Sequence, residues 1–276
     1  MSKDLACCES PEELIEKLIK EKTACACGNF QIPDQSKVEN PENPNKEINS
    51  SLLKYLEKKG KKLGIVSIGY VKIPVNVLDK NELKYSNAIV LTYPINMDII
   101  NEIPSEKTQR LNDILYAKFG NITYELSDYL RKEGYGTQAI HPMEGTIDFS
   151  KLGEDAKIGY IGKNRLLISP ELGPRLKISA ILTSIENLPY TDKNPYEWIR
   201  NYCKRCSKCI KRCPQDALIE KEDKIAKANL SCEKCIGCSQ GCTYCIEACP
   251  FFENGYDWVY EKQTKLEAKL KEKGKL

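Results

Sequence analysis

Cys203-Lys204-Arg205-Cys206-Ser207-Lys208-Cys209-Ile210-Lys211-Arg212-Cys213-Pro214 is the stretch that decides how this chain is read. Its spacing is C-x2-C-x2-C-x3-C-P, by which thiolates grip a 4Fe–4S cubane. Three cysteines at that spacing can face one cubane from a single tight turn. The fourth cannot close round the far corner, and in two-cluster ferredoxins it serves the other cluster. Pro214 then turns the chain away and carries no N–H to satisfy.

Residues 203–249 hold ten of the fourteen cysteines, and the block ends in Cys242, Cys245 and Cys249-Pro250, a second partial copy. Cluster one is therefore assigned Cys203, Cys206, Cys209 and Cys249, and Cys213 crosses to cluster two. A literal second copy would put the next ligand at position 239, which is Ser239. Cluster two then takes Cys242, Cys245 and one thiol from Cys232, Cys235 or Cys238. Cys232, Cys235, Cys238 and Cys242 also form a complete C-x2-C-x2-C-x3-C run, which leaves a competing arrangement open. A pair of zinc ribbons is the other metal reading, since zinc also favours four thiolates. Ribbons use paired C-x2-C knuckles without a third cysteine and a Cys-Pro ending, so the spacing favours iron and sulfur.

The rest of the composition narrows the class. The chain has 276 residues, room for one large domain or two smaller ones. Its formal net charge of +3 is too small to argue for nucleic acid. No run approaches the roughly 18 apolar residues of a membrane span. Met1-Ser2-Lys3-Asp4 opens without an apolar signal region, so a cytoplasmic, reducing compartment is expected, where clustered C-x2-C runs mean metal rather than disulfides. Cys7, Cys8, Cys25 and Cys27 read as free or reversibly oxidised thiols, with zinc or a third cluster as the sharper alternative. His141 is the one histidine, which excludes a multi-histidine metal site. Standing before Pro142, it reads as a surface or packing residue; a proton donor or metal ligand is the sharper alternative.

Ser10-Pro11-Glu12-Glu13 starts a short amphipathic helix, and the proline-rich stretch 28–48 reads as a loop or linker. A helix is predicted from Ser50 or Ser51 to Lys62, then strands at Leu63–Ile73 and Asn87–Tyr93. Leu111, Ile114, Leu115, Phe119, Ile122, Leu126 and Leu130 recur at helical spacing and predict one long helix over 106–133, with Gly120 its weak point. Further strands are predicted at Thr137–Ile140, Arg165–Ser169 and Lys177–Ser184, with a short helix near Ser150–Lys157. Strands alternating with helices over 50–190 predict a layered α/β or α+β domain. Asn194-Pro195 begins a short helix into Cys203. Phe251, Phe252, Tyr256, Trp258 and Tyr260 form an aromatic patch, read as a cover that keeps water from the clusters, and a Lys/Glu helix follows over 261–276.

Ile158-Gly159-Tyr160-Ile161-Gly162-Lys163-Asn164 and Leu166-Leu167-Ile168-Ser169-Pro170-Glu171-Leu172-Gly173-Pro174-Arg175 lie upstream of the block. Gly159 and Gly162 could let backbone approach a cofactor, and Lys163 and Arg175 could hold phosphate or carboxylate. From spacing alone, a turn between helix and strand is the preferred reading. With Tyr85–Leu91 and the cysteine block, however, this segment resembles the family that joins epoxyqueuosine reductases and reductive dehalogenases, over roughly residues 60–250.

The resemblance implies a nitroreductase-like α/β domain, a bacterial-ferredoxin-like module with two 4Fe–4S clusters, and a base-off cobalamin between them. It reverses the preference at the glycine segment and assigns cofactor binding to Gly159, Gly162, Lys163, Asn164 and Arg175. It also favours Cys232 as the last ligand of cluster two, because the family draws that ligand from well before its final C-x2-C pair. No catalytic acid is carried over, because Glu144 and Asp148 are near but do not match the family motif.

The organisation expected is an N-terminal segment 1–49, an α/β cofactor or substrate domain 50–195, the cluster module 196–255 and a C-terminal helix 256–276. The expected function is an oxygen-sensitive, anaerobic iron–sulfur oxidoreductase, fed by a donor such as a ferredoxin or flavoprotein. It passes electrons to a cofactor, cobalamin being the candidate, or to a substrate. The alternatives are an electron carrier or reductive activator of a corrinoid partner protein, and a zinc-stabilised interaction module.

Overall fold

The computed structural model describes residues 32–73, 83–145, 147–220 and 227–273, apart from the side chain of Cys238. The helix expected after Ser10 and the thiols Cys7, Cys8, Cys25 and Cys27 lie outside the described residues. In chain order the elements of the first part are α1 (Ser50–Lys62), β1 (Ser67–Lys72), β2 (Asn87–Pro94), α2 (Met97–Ile100), α3 (Glu106–Lys132), β3 (Thr137–Ile140), α4 (Phe149–Asp155), β4 (Tyr160–Ile161), β5 (Leu167–Ile168) and β6 (Leu176–Thr183).

The sheet has the order β1–β2–β6–β3 with every pair antiparallel. Helices on an antiparallel sheet make this a mixed α/β structure of the α+β kind. Side chains alternate across the strands, as period two requires. Ile89, Leu91, Tyr93 and Ile181 enter one core with Leu56 of α1 and Leu115, Phe119 and Leu126 of α3. Ala88, Val90, Ala180 and Leu182 enter a second core with Leu152 of α4 and Ile158.

The predicted long helix is unbroken. Ser105 caps it by accepting from the Thr108 N–H. Gly120 belongs inside it for packing: a Cβ there would stand 2.1 Å from Cδ2 of His141. His141 is buried, as the packing alternative of the sequence reading had it. Its Nδ1 accepts from the Met143 N–H, and burial pushes its pKa down to about 3.

The stretch expected to be a linker is, over 32–48, a strap pinned to α3 and β3. Asp34 pairs with Arg131 at 2.5 Å and accepts from the Ala139 N–H, while Asn40 accepts from the Thr137 N–H and donates to its carbonyl. Side chains of the strap thus satisfy backbone groups along the edge strand of the sheet, which would otherwise stand open.

The remaining elements are α5 (Ile199–Cys206), α6 (Lys208–Arg212), β7 (Leu218–Ile219), β8 (Asn229–Leu230), α7 (Gly237–Gln240), α8 (Tyr244–Glu247), α9 (Pro250–Glu253) and α10 (Tyr256–Glu272). The last helix begins five residues before the predicted Lys/Glu run, directly after Gly255 at φ 83°, so Tyr256, Trp258 and Tyr260 ride on it. Among the described residues no helix is long and apolar enough to cross a membrane.

Candidate metal centre

The cysteine run folds as two short helices joined at Ser207, which adopts left-handed φ 52°. That sharp turn lets Cys203, Cys206 and Cys209 come from two successive helices. Cys213 and Cys249 both precede proline, which pushes the preceding residue to extended backbone. Their φ, ψ pairs are −68°, 116° and −77°, 124°. Cys213 therefore ends α6, and Cys249 caps the start of α9 with Pro250 in its first turn.

The thiols gather into two groups. Burial pushes the Cys203 thiol up to about 12; the Lys163 N–H opposes this, and charges on Cys206 and Cys209 add to it. Burial and then Cys206 push Cys209 up to about 11. The Cys249 thiol is raised by burial and by Cys203, Cys209 and Cys206. This is the expected cluster-one set. In the second group burial raises Cys242, with Cys235 and Cys213 adding to it. Cys245 is raised by burial and by Cys209, Cys235, Cys242 and Cys213. The structure brings Cys235 to Cys213, Cys242 and Cys245, while Cys232, the expected ligand, is bonded in a disulfide. Sequence spacing could not separate these cysteines, because 232, 235 and 238 repeat at one interval.

Eight thiols in two groups, one thiolate for each corner iron, suit two cubanes. Among the described residues no three Cys, His, Asp or Glu side chains converge tightly enough for a single metal ion. A cubane asks for a wider spread, since each thiolate meets a different iron. Buried thiols that resist ionisation and repel one another as thiolates need the positive charge that iron supplies. The Ala217 N–H donates to Cys213 Sγ at 3.3 Å.

Aromatic side chains cover the first group. Cys203 and Cys249 share a core with Ile168, Ile199, Phe251 and Val259, and Trp198, Tyr202 and Tyr256 pack against it. Trp198 Nε1 donates to the Tyr256 hydroxyl at 3.0 Å. The Tyr202 phenol is pushed up to about 12 by burial and by Cys206, Cys249 and Cys203. A polar cleft of about 530 Å³ lies alongside, lined by Tyr160, Trp198, Arg200 and Lys157 among others. The second group touches the sheet domain: Cys245 packs on the core of α1 and α3, and Gly241 N–H donates to Gln109 of α3.

The five residues expected to bind a cofactor make contacts within the protein. A Cβ on Gly159 would lie 2.2 Å from the Ile168 carbonyl oxygen, and one on Gly162 would lie 2.6 Å from Ile168 Cδ1, so both glycines serve the β4–β5 hairpin. Lys163 is buried with its Nζ on Lys204 O, Ser207 Oγ and Glu220 Oε1. Asn164 Nδ2 donates to the Cys245 carbonyl at 3.4 Å, and Arg175 Nη1 to the Ile95 carbonyl at 2.5 Å. Lys163 and Asn164 spend their polar side-chain atoms on protein, and Arg175 spends Nη1. The segment is a clasp between the sheet and the cysteine block. Asp148 caps α4 by accepting from the Lys151 N–H, and Glu144 accepts from the Ile32 N–H at 2.8 Å.

Residues 198–265 match the family model of the 4Fe-4S dicluster domain, so the chain carries two 4Fe–4S clusters. A tetrachloroethene reductive dehalogenase of Desulfitobacterium hafniense is 26% identical over 171 residues, which are 62% of this chain and 30% of that protein. An epoxyqueuosine reductase of Gloeobacter violaceus is 29% identical over 156 residues, 49% of this chain and 45% of that one. The solved structure of a catabolic reductive dehalogenase superposes with a TM-score of 0.62 at 16% identity, over 87% of this chain and 36% of its own. The chain thus spans less than half the length of these relatives. Dicluster match, relatives and shared fold agree: the chain is similar to the double-cluster iron–sulfur proteins among which epoxyqueuosine reductases and reductive dehalogenases stand.

Proposed function

We propose that this chain is an oxidoreductase whose two clusters relay electrons to an acceptor held on the α/β domain. The adjacency of the parts supports this reading. Cys209 of the first group acts on Cys245 of the second, and Cys245 packs on the core of α1 and α3. A one-electron path thus runs from the aromatic side to the sheet. We assign Cys203, Cys206, Cys209 and Cys249 to cluster one, and Cys213, Cys235, Cys242 and Cys245 to cluster two. Residues 50–195, of nitroreductase-like kind, form the acceptor domain and 196–255 the ferredoxin-like module. A ferredoxin or flavoprotein is the donor.

A related dehalogenase structure is described as suggesting a mechanism for B12-dependent dehalogenation. Cobalamin is accordingly the first acceptor to test here, on residues other than the clasp. The second reading, a reductive activator of a corrinoid partner protein, is favoured by one observation: the Lys163 ammonium and the Asn164 amide of the clasp are bonded to protein. The test is anaerobic reconstitution of the full chain, then gel filtration with added cobalamin. Corrinoid retained at one per chain supports an acceptor held in this chain. If no corrinoid is retained and the reduced clusters pass electrons only to a separate corrinoid protein, the activator reading holds and the first fails.

A further inference from the structure

Lys163 stands out among the buried charges: its side chain is 2% exposed. Its ammonium is bound to the cysteine run itself. Nζ donates to the carbonyl of Lys204 at 3.2 Å and to Ser207 Oγ at 2.9 Å, both inside the loop that carries Cys203, Cys206 and Cys209. The backbone N–H of the same residue donates to the Cys203 sulfur. The third partner of Nζ is Glu220 at 2.6 Å, whose side chain is 44% exposed. Ser207 Oγ also donates to that carboxylate at 2.9 Å. A cation buried at one cluster is thus balanced by an anion on the solvent side.

We propose that Lys163 sets the reduction potential of cluster one, with Glu220 as the opposing charge. The inference rests on the assignment of Cys203, Cys206, Cys209 and Cys249 to that cluster. Reduction adds one electron from a low-potential donor to the cubane, whose net charge falls by one. A fixed positive charge in a dry setting stabilises the more negative form, so the couple is raised. Hydrogen bonds to cluster sulfur act in the same direction. Beside the second group the cation acting on a thiol is Arg212, on Cys242, and it is half-exposed and already paired with Glu247, while Asn164 contributes only a neutral amide to the Cys245 carbonyl. Lys163 therefore makes the two clusters unequal, and cluster one is the easier to reduce.

The test is a dithionite titration of the reconstituted full chain, followed by electron paramagnetic resonance, with iron counted in every sample. Lys163→Gln is expected to lower one midpoint so that the reduced fraction falls about tenfold at fixed potential, which is about 59 mV for one electron. The other midpoint stays. Glu220→Gln is expected to move the same midpoint upward by a smaller factor, about threefold, because solvent already screens that carboxylate. Opposite shifts at one cluster support the proposal, since a purely structural role would not reverse sign with the charge removed. Equal shifts of both midpoints, shifts of the same sign in the two variants, or no shift with about eight irons retained would overturn it. If Lys163→Gln does not retain cluster one, Glu220→Gln decides alone: a rise supports the proposal, and no rise overturns it. An iron count of zero in the unaltered chain would instead overturn the cluster assignment itself.

Discussion

Two regions of this molecule reach order by different routes. In the sheet, β2 buries seven of its eight residues between two apolar cores, and α3 runs 27 residues along one of them. In the cysteine block, the helices from α5 to α9 have eight, five, four, four and four residues. Helices that short do not hold themselves, since isolated helices below about 12 residues are marginal in water. Hydrophobic burial orders the first region. The second has only small apolar clusters around its thiols, so its order is expected to come from iron–thiolate bonds, with the clasp of Lys163 and Asn164 joining it to the first. The contrast shows where chemistry can sit: the strands of the sheet carry only Lys72 and Lys177 as charges, while the block concentrates eight thiols.

The largest expected effect breaks that contrast directly. Stripping iron with a chelator should remove hydrogen-exchange protection across 199–253 while β2 and β6 keep theirs. Equal loss in both regions would mean the sheet also depends on the clusters.

A second prediction concerns the sheet domain alone. Gly120→Ala should destabilise the protein by about 3 kcal/mol, because the new methyl overlaps His141. An exposed helical site would instead gain up to about 1 kcal/mol from the same change. Adding His141→Ala should return part of the loss in a urea titration; strict additivity of the two changes would contradict the contact.

How much of this could be read in advance differs between the regions for the same physical reason. The long helix and β2 were legible because their apolar periodicity is local and extends over many residues. The first cysteine run was legible because three thiols on one turn are a local geometric demand. The strap 32–48 was not, since its order comes from Asp34 and Asn40 meeting β3 about a hundred residues away. At the clasp the spacing alone favoured a turn, which the β4–β5 hairpin is, and the cofactor assignment came only from the resemblance. The role of Lys163 and Asn164 was not legible, because their side-chain partners lie at 204, 207, 220 and 245. Cys235 was indistinguishable from Cys232 until the chain was folded.

His141 sharpens the comparison through pH. Its folded pKa is about 3 and the ordinary value is 6.5. Between these, the unfolded chain binds the proton and the folded one does not, so stability falls as pH falls through that window. At pH 5 the loss relative to pH 8 is about 2 kcal/mol. Unfolding of the sheet domain followed from pH 8 to pH 5 should show it, and His141→Gln should flatten the profile. An unchanged slope would contradict a buried neutral imidazole. The smallest effect belongs to the aromatic cover. Tyr256→Phe leaves Trp198 Nε1 without its acceptor, at about 1 kcal/mol, or about 2–4 °C in Tm. An unaltered melting temperature would show that the bond does not contribute.

The measurement that tests the central claim most directly is iron and labile sulfide per chain in two reconstituted variants. The account predicts about eight irons in the unaltered chain and in Cys232→Ser, and about four in Cys235→Ser. Eight irons retained in Cys235→Ser with four in Cys232→Ser would contradict it.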